Sequence, residues 1–166
     1  MKRVPFDALD ERLSPLRLQG SRIVLCHGCF DLLHIGHVRH FRSAKLHGDI
    51  LVVTLTADRH IAKGPGRPVY SHDVRAEFVA ELSCVDFVSI VDYPKATEVI
   101  AVVRPHVYAK GGDFKELNEA LRLEKAAVES FGGQLLFTDE ERFTPVGETA
   151  DVAYHSSELL KRRERS

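Results

Sequence analysis

Two histidines, His34 and His37, stand three residues apart on either side of Gly36, where an apolar run gives way to a helix pattern. If the turn winds into the helix at this point, both imidazoles project to the same side. Gly36 lets a phosphate approach the backbone closely, and the first N–H groups of a helix attract anions. The stretch Gly28–His37 is therefore predicted to bind phosphate.

This stretch resembles a longer motif, in which six positions are fixed. They are occupied here by Gly28, Phe30, Asp31, His34, Gly36 and His37. The motif is that of the HxGH nucleotidyltransferase superfamily, in which it binds the triphosphate of a nucleotide. Motif order and spacing extend the resemblance over roughly residues 23–162. The resemblance implies a Rossmann-like nucleotidyltransferase that joins a phosphorylated metabolite to a nucleoside triphosphate and releases pyrophosphate.

Two other interpretations of the same residues are open. Cys26 and Cys29, followed by His34 and His37, suggest a zinc site, but only four residues separate the two pairs, whereas zinc fingers usually leave about a dozen. The histidines could also be ordinary residues of a helix start. We expect no metal bound by protein side chains.

The composition is that of a globular domain. The chain has 166 residues, of which 44% are hydrophobic and 28% charged, and its net charge is -1. We expect one domain at residues 22–166 behind a surface lead-in at residues 1–21. A nucleic-acid partner is not expected, because there is no basic footprint. The absence of an apolar run of roughly 20 residues excludes a membrane span. Three cysteines suit a reducing compartment, so we expect a cytoplasmic protein, and a homodimer.

Short apolar runs alternate with helix patterns along the chain. The predicted strands are 22–27, 50–56, 87–91, 106–109 and 134–138. The predicted helices are 6–13, 37–47, 72–82, 95–103 and 115–131. This alternation predicts an α/β fold with a parallel, doubly wound, five-stranded sheet. Ligands of such sheets bind beyond the carboxyl ends of the strands, where Gly28–His37 falls.

Several cations are candidates for contact with phosphate or substrate. Lys45, by position alone, is a helix C-terminal cation, but the resemblance implies that it contacts phosphate. The segment Ala57–Tyr70, called the flap below, is rich in glycine, proline and cations, and Lys63 and Arg67 could close over the phosphates. The resemblance places Arg75 near the substrate; the alternative is a solvated arginine in the first turn of a helix.

A second informative stretch follows the fourth predicted strand. Lys110, Gly111 and Asp113 put a cation, a free backbone and a carboxylate at the ligand-binding edge, although a tight turn with a capping aspartate would look the same. The stretch looks most like the Lys-Gly-Gly-Asp of heptose-1-phosphate adenylyltransferases, which implies a sugar phosphate acceptor.

Near the C-terminus, Ser156 and Ser157 resemble the last motif of the family, a turn whose hydroxyl and N–H groups hold the nucleotide. Serines before a helix are also common N-caps. The usual Ser-Thr-Thr of that motif is replaced here, and the connection at 139–153 is longer than expected. These departures leave the choice between ATP and CTP open.

By resemblance, His34 and His37 act on the triphosphate and the transition state. Gly28, Cys29, Phe30 and Asp31 form the cradle, with Mg²⁺ bridging the phosphates. Alternatively, Asp31 orients the backbone of the turn. The rival functions are a cytidylyltransferase acting on glycerol phosphate or a similar small molecule, and a nucleotide-binding module without catalysis. The chain could also be one domain cut from a fusion with a sugar kinase.

Overall fold

The computed structural model describes residues 2–112 and 118–138. The strands are β1 (Ile23–Gly28), β2 (Ile50–Thr56), β3 (Phe87–Val91), β4 (Val107–Gly111) and β5 (Gln134–Thr138). The α-helices are α1 (Leu9–Leu18), α2 (Ile35–Lys45), α3 (His72–Ala80), α4 (Ala96–Val103) and α5 (Glu119–Glu129). Short 3-10 helices occupy Phe6–Ala8 and Asp58–His60.

The five strands form one parallel sheet in the order β3-β2-β1-β4-β5. The chain moves outward from β1 to β3 and then returns to place β4 on the other side of β1. The predicted Rossmann-like, doubly wound sheet is therefore confirmed. The strand order reverses between β1 and β4, and ligands bind such sheets at the carboxyl ends of the strands on either side of the reversal.

Helices cover both faces of the sheet. Alternate residues of β1 point to opposite faces, so Val24 and Cys26 pack with α2 and α3, whereas Ile23 and Leu25 pack with α1, α4 and α5. All four side chains are fully buried, and each large apolar one contributes about 1.5–3 kcal/mol of burial free energy. Within the described ranges, no helix is long and apolar enough to cross a membrane.

Most element boundaries follow the sequence prediction. Strands β2, β3 and β5 have the predicted bounds, whereas α2 begins two residues early because His34 already occupies its N-cap. The described part of the last predicted helix begins after Asn118, whose side chain accepts the N–H of Leu121 at 2.9 Å. The predicted helical residues 115–117 lie outside the described residues.

The N-terminal segment is not the surface lead-in that was expected. The N–H of Val4 donates to the carbonyl of Val88 and the N–H of Val88 donates to the carbonyl of Lys2, both at 2.9 Å. Leu9 and Leu13 are fully buried in the core. The segment therefore covers the open edge of β3, where unpaired backbone groups would otherwise invite aggregation.

A buried histidine ties α2 to β5. His40 Nδ1 lies 2.7 Å from Thr138 Oγ1, and this hydroxyl donates its single proton to the carbonyl of Lys110 at 3.2 Å. His40 Nδ1 must therefore carry a proton and donate it to the hydroxyl. Burial, with a further contribution from the nearby Lys110 charge, lowers the pKa of His40 to about 4.

We expect the free energy of unfolding to fall as the pH is lowered from 7 to 5. The folded state keeps His40 neutral down to a pKa of about 4, whereas the unfolded state takes up a proton near pH 6.5. Stability from this group is therefore complete above pH 6.5 and decreases towards pH 4, by about 1–2 kcal/mol at pH 5. His40→Asn keeps a donor for Thr138 and removes the titration. The free energy of unfolding of this variant, measured by urea denaturation, should therefore depend on pH less than that of the wild type, by this amount.

The matched His47→Asn variant changes an exposed histidine and should retain the wild-type pH dependence. An equal pH dependence in all three proteins would contradict the expectation.

Candidate active site

The two histidines of the motif lie side by side at the start of α2. Their ring centroids are 3.8 Å apart and their planes 30° apart, so the predicted projection to one side is confirmed. The main-chain N–H of His34 donates to His37 Nδ1 at 3.4 Å. Because Nδ1 of His37 accepts this bond, the neutral ring carries its proton on Nε2. The N–H donor of the His37 ring is therefore on its Nε2 edge, opposite the edge that accepts the bond from His34.

The turn before the histidines depends on Phe30. This residue has a left-handed backbone with φ of 45°, which costs about 1–3 kcal/mol for a bulky side chain. Its ring packs edge-on against His37 at 5.3 Å and against Phe41 at 4.9 Å between centroids. A Cβ at position 28 would lie 3.0 Å from the Phe30 ring, so Gly28 makes room for it. Phe30 thus joins the histidine pair to the core.

Asp31 is fully enclosed and holds the flap. Its carboxylate pairs with Arg67 Nε and accepts the N–H groups of Val69 at 2.7 Å and Tyr70 at 3.4 Å. Its side chain is 0% exposed. These contacts support the alternative in which Asp31 orients backbone, and they leave its carboxylate occupied by the flap.

The two cations of the flap that were predicted to close over phosphates differ in exposure. Lys63 is exposed, and Arg67 is tied to Asp31. Burial raises the pKa of the Cys29 thiol, and the charge of Lys63 partly offsets that rise. Lys63 is therefore close enough to the turn for its charge to act there.

Arg75 has a different environment from the one predicted. Its side chain is 0% exposed, and the guanidinium makes four hydrogen bonds with protein acceptors. It donates to the carbonyls of Cys29, of Tyr70 at 3.1 Å and of Thr56 at 2.9 Å, and to Asp58 Oδ1 at 2.6 Å. These contacts support a positioning role at the carboxyl edge of the sheet and give no support to the predicted contact with substrate.

Asp58 is the anionic partner of this arginine. Burial would raise the pKa of Asp58, but hydrogen bonds to Arg75 and His72 outweigh that effect and hold it below its usual value. The carboxylate therefore stays charged beside the buried guanidinium. Sequence analysis did not select Asp58. Its position two residues after β2 places it at the ligand-binding edge of the sheet, and this could have identified it.

Lys45 is placed at the wrong end of α2 for its predicted role. It pairs with Asp86 Oδ2 at 2.5 Å and donates to the carbonyl of Asp49. It lies about 15 Å along the helix from the histidine end, at 1.5 Å per residue. The phosphate contact implied by the resemblance is therefore corrected to an ion pair at the opposite edge of the sheet.

Lys110 is buried at the end of β4 and faces α5. Its Nζ lies 2.9 Å from Glu124 Oε2 and 5.0 Å from the centroid of the Tyr108 ring. Tyr108 donates its hydroxyl to the same carboxylate at 3.1 Å. Gly111 follows as the last residue of β4. The residues predicted beyond it, Asp113, Ser156 and Ser157, lie outside the described residues, as does the connection at 139–153.

His27 is a partly buried histidine beside the motif that sequence analysis did not select. It directly precedes the motif on β1, and its Nδ1 lies 2.9 Å from Thr54 Oγ1 on β2. Burial, then the charge of Lys110, lowers the pKa of His27 to about 4. It is therefore neutral at pH 7. By the alternation of β1, its side chain lies on the face opposite Cys26.

The zinc alternative is not supported by these contacts. Cys26 is fully buried in the apolar layer beneath α2 and α3, and burial raises the pKa of its thiol strongly. Over the described part of the chain, no group of three or more histidine, cysteine or acidic side chains is arranged to hold a metal.

A doubly wound parallel sheet with this histidine pair after β1 defines a nucleotidyltransferase, and comparison with known proteins agrees. The chain belongs to the cytidylyltransferase-like family, whose model matches residues 25–163. The family and the enzyme class predicted from the motif are therefore confirmed.

The chain is similar to curated proteins named bifunctional protein HldE. It is 39% identical to that of Syntrophotalea carbinolica over 80% of this chain and 27% of the relative. It is 37% identical to that of Geobacter sulfurreducens over 90% of this chain and 31% of the relative. The chain thus spans about a quarter to a third of the length of these relatives.

Solved structures show the same fold. A lipopolysaccharide core biosynthesis protein from Thermoplasma volcanium has a TM-score of 0.61 and 26% identity, covering 73% of this chain and 98% of that protein. A pantoate–β-alanine ligase from Francisella tularensis has a TM-score of 0.63 at 12% identity, covering 99% of this chain and 77% of that protein. The second likeness concerns the fold alone.

We expect Arg75→Gln to lower the free energy of unfolding by about 3 kcal/mol, because it leaves Asp58 and several carbonyls without their donor. The matched control is Arg59→Gln, which removes an arginine that is 69% exposed and paired with Asp92. Its effect should stay within about 0.5 kcal/mol. Urea denaturation measures both. An Arg75→Gln protein of wild-type stability with greatly weakened substrate binding would restore the sequence prediction.

Proposed function

We propose that this domain transfers the AMP moiety of ATP to heptose 1-phosphate and releases pyrophosphate. Nucleotidyl transfer follows from the family, whereas the nucleotide and the acceptor are proposed. The stacked pair of His34 and His37 at the N-terminus of α2 carries the proposal. The acceptor is supported by the resemblance of the Lys110–Asp113 stretch and by similarity to proteins named bifunctional protein HldE.

The proposed reaction needs no nucleophile from the protein. An oxygen of the acceptor phosphate attacks the α-phosphorus of ATP and forms the new P–O bond. The bond between that phosphorus and the oxygen bridging to the β-phosphate breaks, and its electron pair leaves with pyrophosphate. The protein must align these groups and stabilise charge on the phosphate oxygens.

The proposed roles follow from the positions of the donors. His37 offers Nε2–H, and His34 stacks on it in the N-cap. The first N–H groups of α2 add donors aligned with the helix dipole. Lys63 supplies an exposed cation from the flap. Donors fixed in this way stabilise a transition state without reorganisation during the reaction.

Magnesium ion is proposed to enter with the nucleotide. Among the described residues no side-chain cluster suits a metal, and the carboxylate of Asp31 is occupied by the flap. Phosphate oxygens of the nucleotide would hold such an ion. When bound, Mg²⁺ neutralises charge on the phosphates.

We expect pyrophosphate release to require ATP, Mg²⁺ and heptose 1-phosphate together. Hydrolysis of ATP alone should be slight, because the acceptor supplies the nucleophile. A coupled pyrophosphate assay with four nucleoside triphosphates and a panel of sugar and polyol phosphates measures this. Turnover with CTP and glycerol phosphate would favour the cytidylyltransferase alternative. Steady phosphate release from ATP without any acceptor would contradict the proposed reaction.

We expect His37→Ala to lower kcat about 100- to 1,000-fold, or roughly 3–4 kcal/mol, as for the loss of one transition-state donor. Nucleotide Kd should change little, since α2 and Lys63 still hold the triphosphate. The matched His47→Ala variant removes an exposed histidine at the far end of α2 and should retain kcat. Turnover, Kd and melting temperature are measured for each protein. A His37→Ala kcat within about threefold of wild type would exclude a catalytic role.

A further inference from the structure

The guanidinium of Arg67 is bound within the fold through Nε, whereas its buried Nη2 group has no hydrogen-bond partner among the described residues. Its Nε pairs with Asp31, and the arginine side chain is 11% exposed. Its Nη2 is buried and, among the described residues, makes no hydrogen bond. An unsatisfied buried donor is costly, so such a group calls for an explanation, and a ligand atom is one.

The location of Arg67 points to the ligand. Asp31, its partner, lies in the turn three residues before His34, and the charge of Arg67 acts on the Cys29 thiol of the same turn. The guanidinium therefore borders the predicted phosphate site. Arg17 provides the contrast: it pairs with Asp10 and also has an unpartnered buried nitrogen.

Arg17 lies at the other end of the molecule. Its charge acts on His106, which immediately precedes β4 at the amino edge of the sheet. The leftover donor alone therefore does not define a site. What distinguishes Arg67 is that its carboxylate partner belongs to the turn that leads into α2.

Asp31 also fixes the direction of this arginine. The carboxylate holds the N–H of Val69 at 2.7 Å as well as Arg67 Nε, so the backbone and the side chain of the flap share one anchor. A planar guanidinium held at Nε has its remaining donors in a fixed orientation. Such an arginine can meet a phosphate oxygen without first losing side-chain freedom.

We infer that Arg67 binds a phosphate oxygen of the nucleotide through its Nη2 group, and that Asp31 is a positioning residue that acts through Arg67 without touching the nucleotide. This inference rests on the proposed function, because it requires a nucleoside triphosphate in the turn. It assigns the two residues a single shared task.

The test is the Kd for ATP with Mg²⁺ and no acceptor, measured by calorimetry for R67Q, R67K, D31N and the double variant. R67Q should raise Kd about 10- to 100-fold, as for a lost charge-assisted hydrogen bond. R67K should recover little of this, since an ammonium lacks the fork. D31N should weaken binding by a smaller factor, and in the R67Q background it should add less than about threefold.

R17Q is the matched control, because it removes an arginine in a similar state at the opposite edge; its Kd should stay within about twofold of wild type. A Kd for R67Q within about threefold of wild type would overturn the inference. Fully multiplicative effects of D31N and R67Q would overturn the positioning role. If R67Q does not fold, R67K replaces it in both comparisons, alone and combined with D31N. The same limits on Kd then apply.

Failure of the proposed function gives a different result. A wild-type chain that binds no nucleoside triphosphate removes the nucleotide from the site, and the inference falls with it. A wild-type chain that binds ATP but accepts another phosphorylated substrate alters the proposed function only. In that case the Kd series still judges Arg67 and Asp31.

Discussion

The buried guanidinium of Arg75 holds the carboxyl edge of the sheet together. It joins the turn after β1, the end of β2 and the base of the flap through three backbone carbonyls. Taking a charge out of water costs several kcal/mol unless its partners are in place. The three loops must therefore converge before this arginine can be buried, and once it is buried none of them can move independently. The site inherits its geometry from this constraint.

Within that frame, the turn into α2 is strained at Phe30. A left-handed phenylalanine persists only where packing compensates for the strain, and its ring is held between His37 and Phe41. The contact with Phe30 also fixes the His37 ring, and the ring of His34 packs against the same imidazole. The strain and the alignment of the imidazoles thus share one cause. Rigid placement of donors is what electrostatic stabilisation of a transition state requires.

The fold and the histidine pair were accessible from sequence because both depend on local signals. Apolar runs define parallel buried strands, and residues three apart at a helix start must share a side. The arginine and lysine roles depend on partners remote in the chain. Lys45 pairs with Asp86, and Lys110 pairs with Glu124 on α5. Periodicity predicted this helix from the sequence, but it could not identify which of its residues face Lys110. The spacing of residues in the sequence cannot distinguish a cation that is available to bind phosphate from one that is paired with a carboxylate in the folded protein.

That distinction also bears on how a chain with a net charge of -1 could bind the proposed triphosphate. The buried cations at the carboxyl edge are paired with Asp31, Asp58 and Glu124, so they add little net charge. Burial lowers the pKa of both His27 and His40, and the nearby Lys110 charge lowers it further. Oriented pairs in a low-dielectric interior produce a local potential that solvent screens weakly. The proposed attraction for phosphate is therefore assigned to the N-terminus of α2 and the exposed Lys63, and it does not require a basic protein.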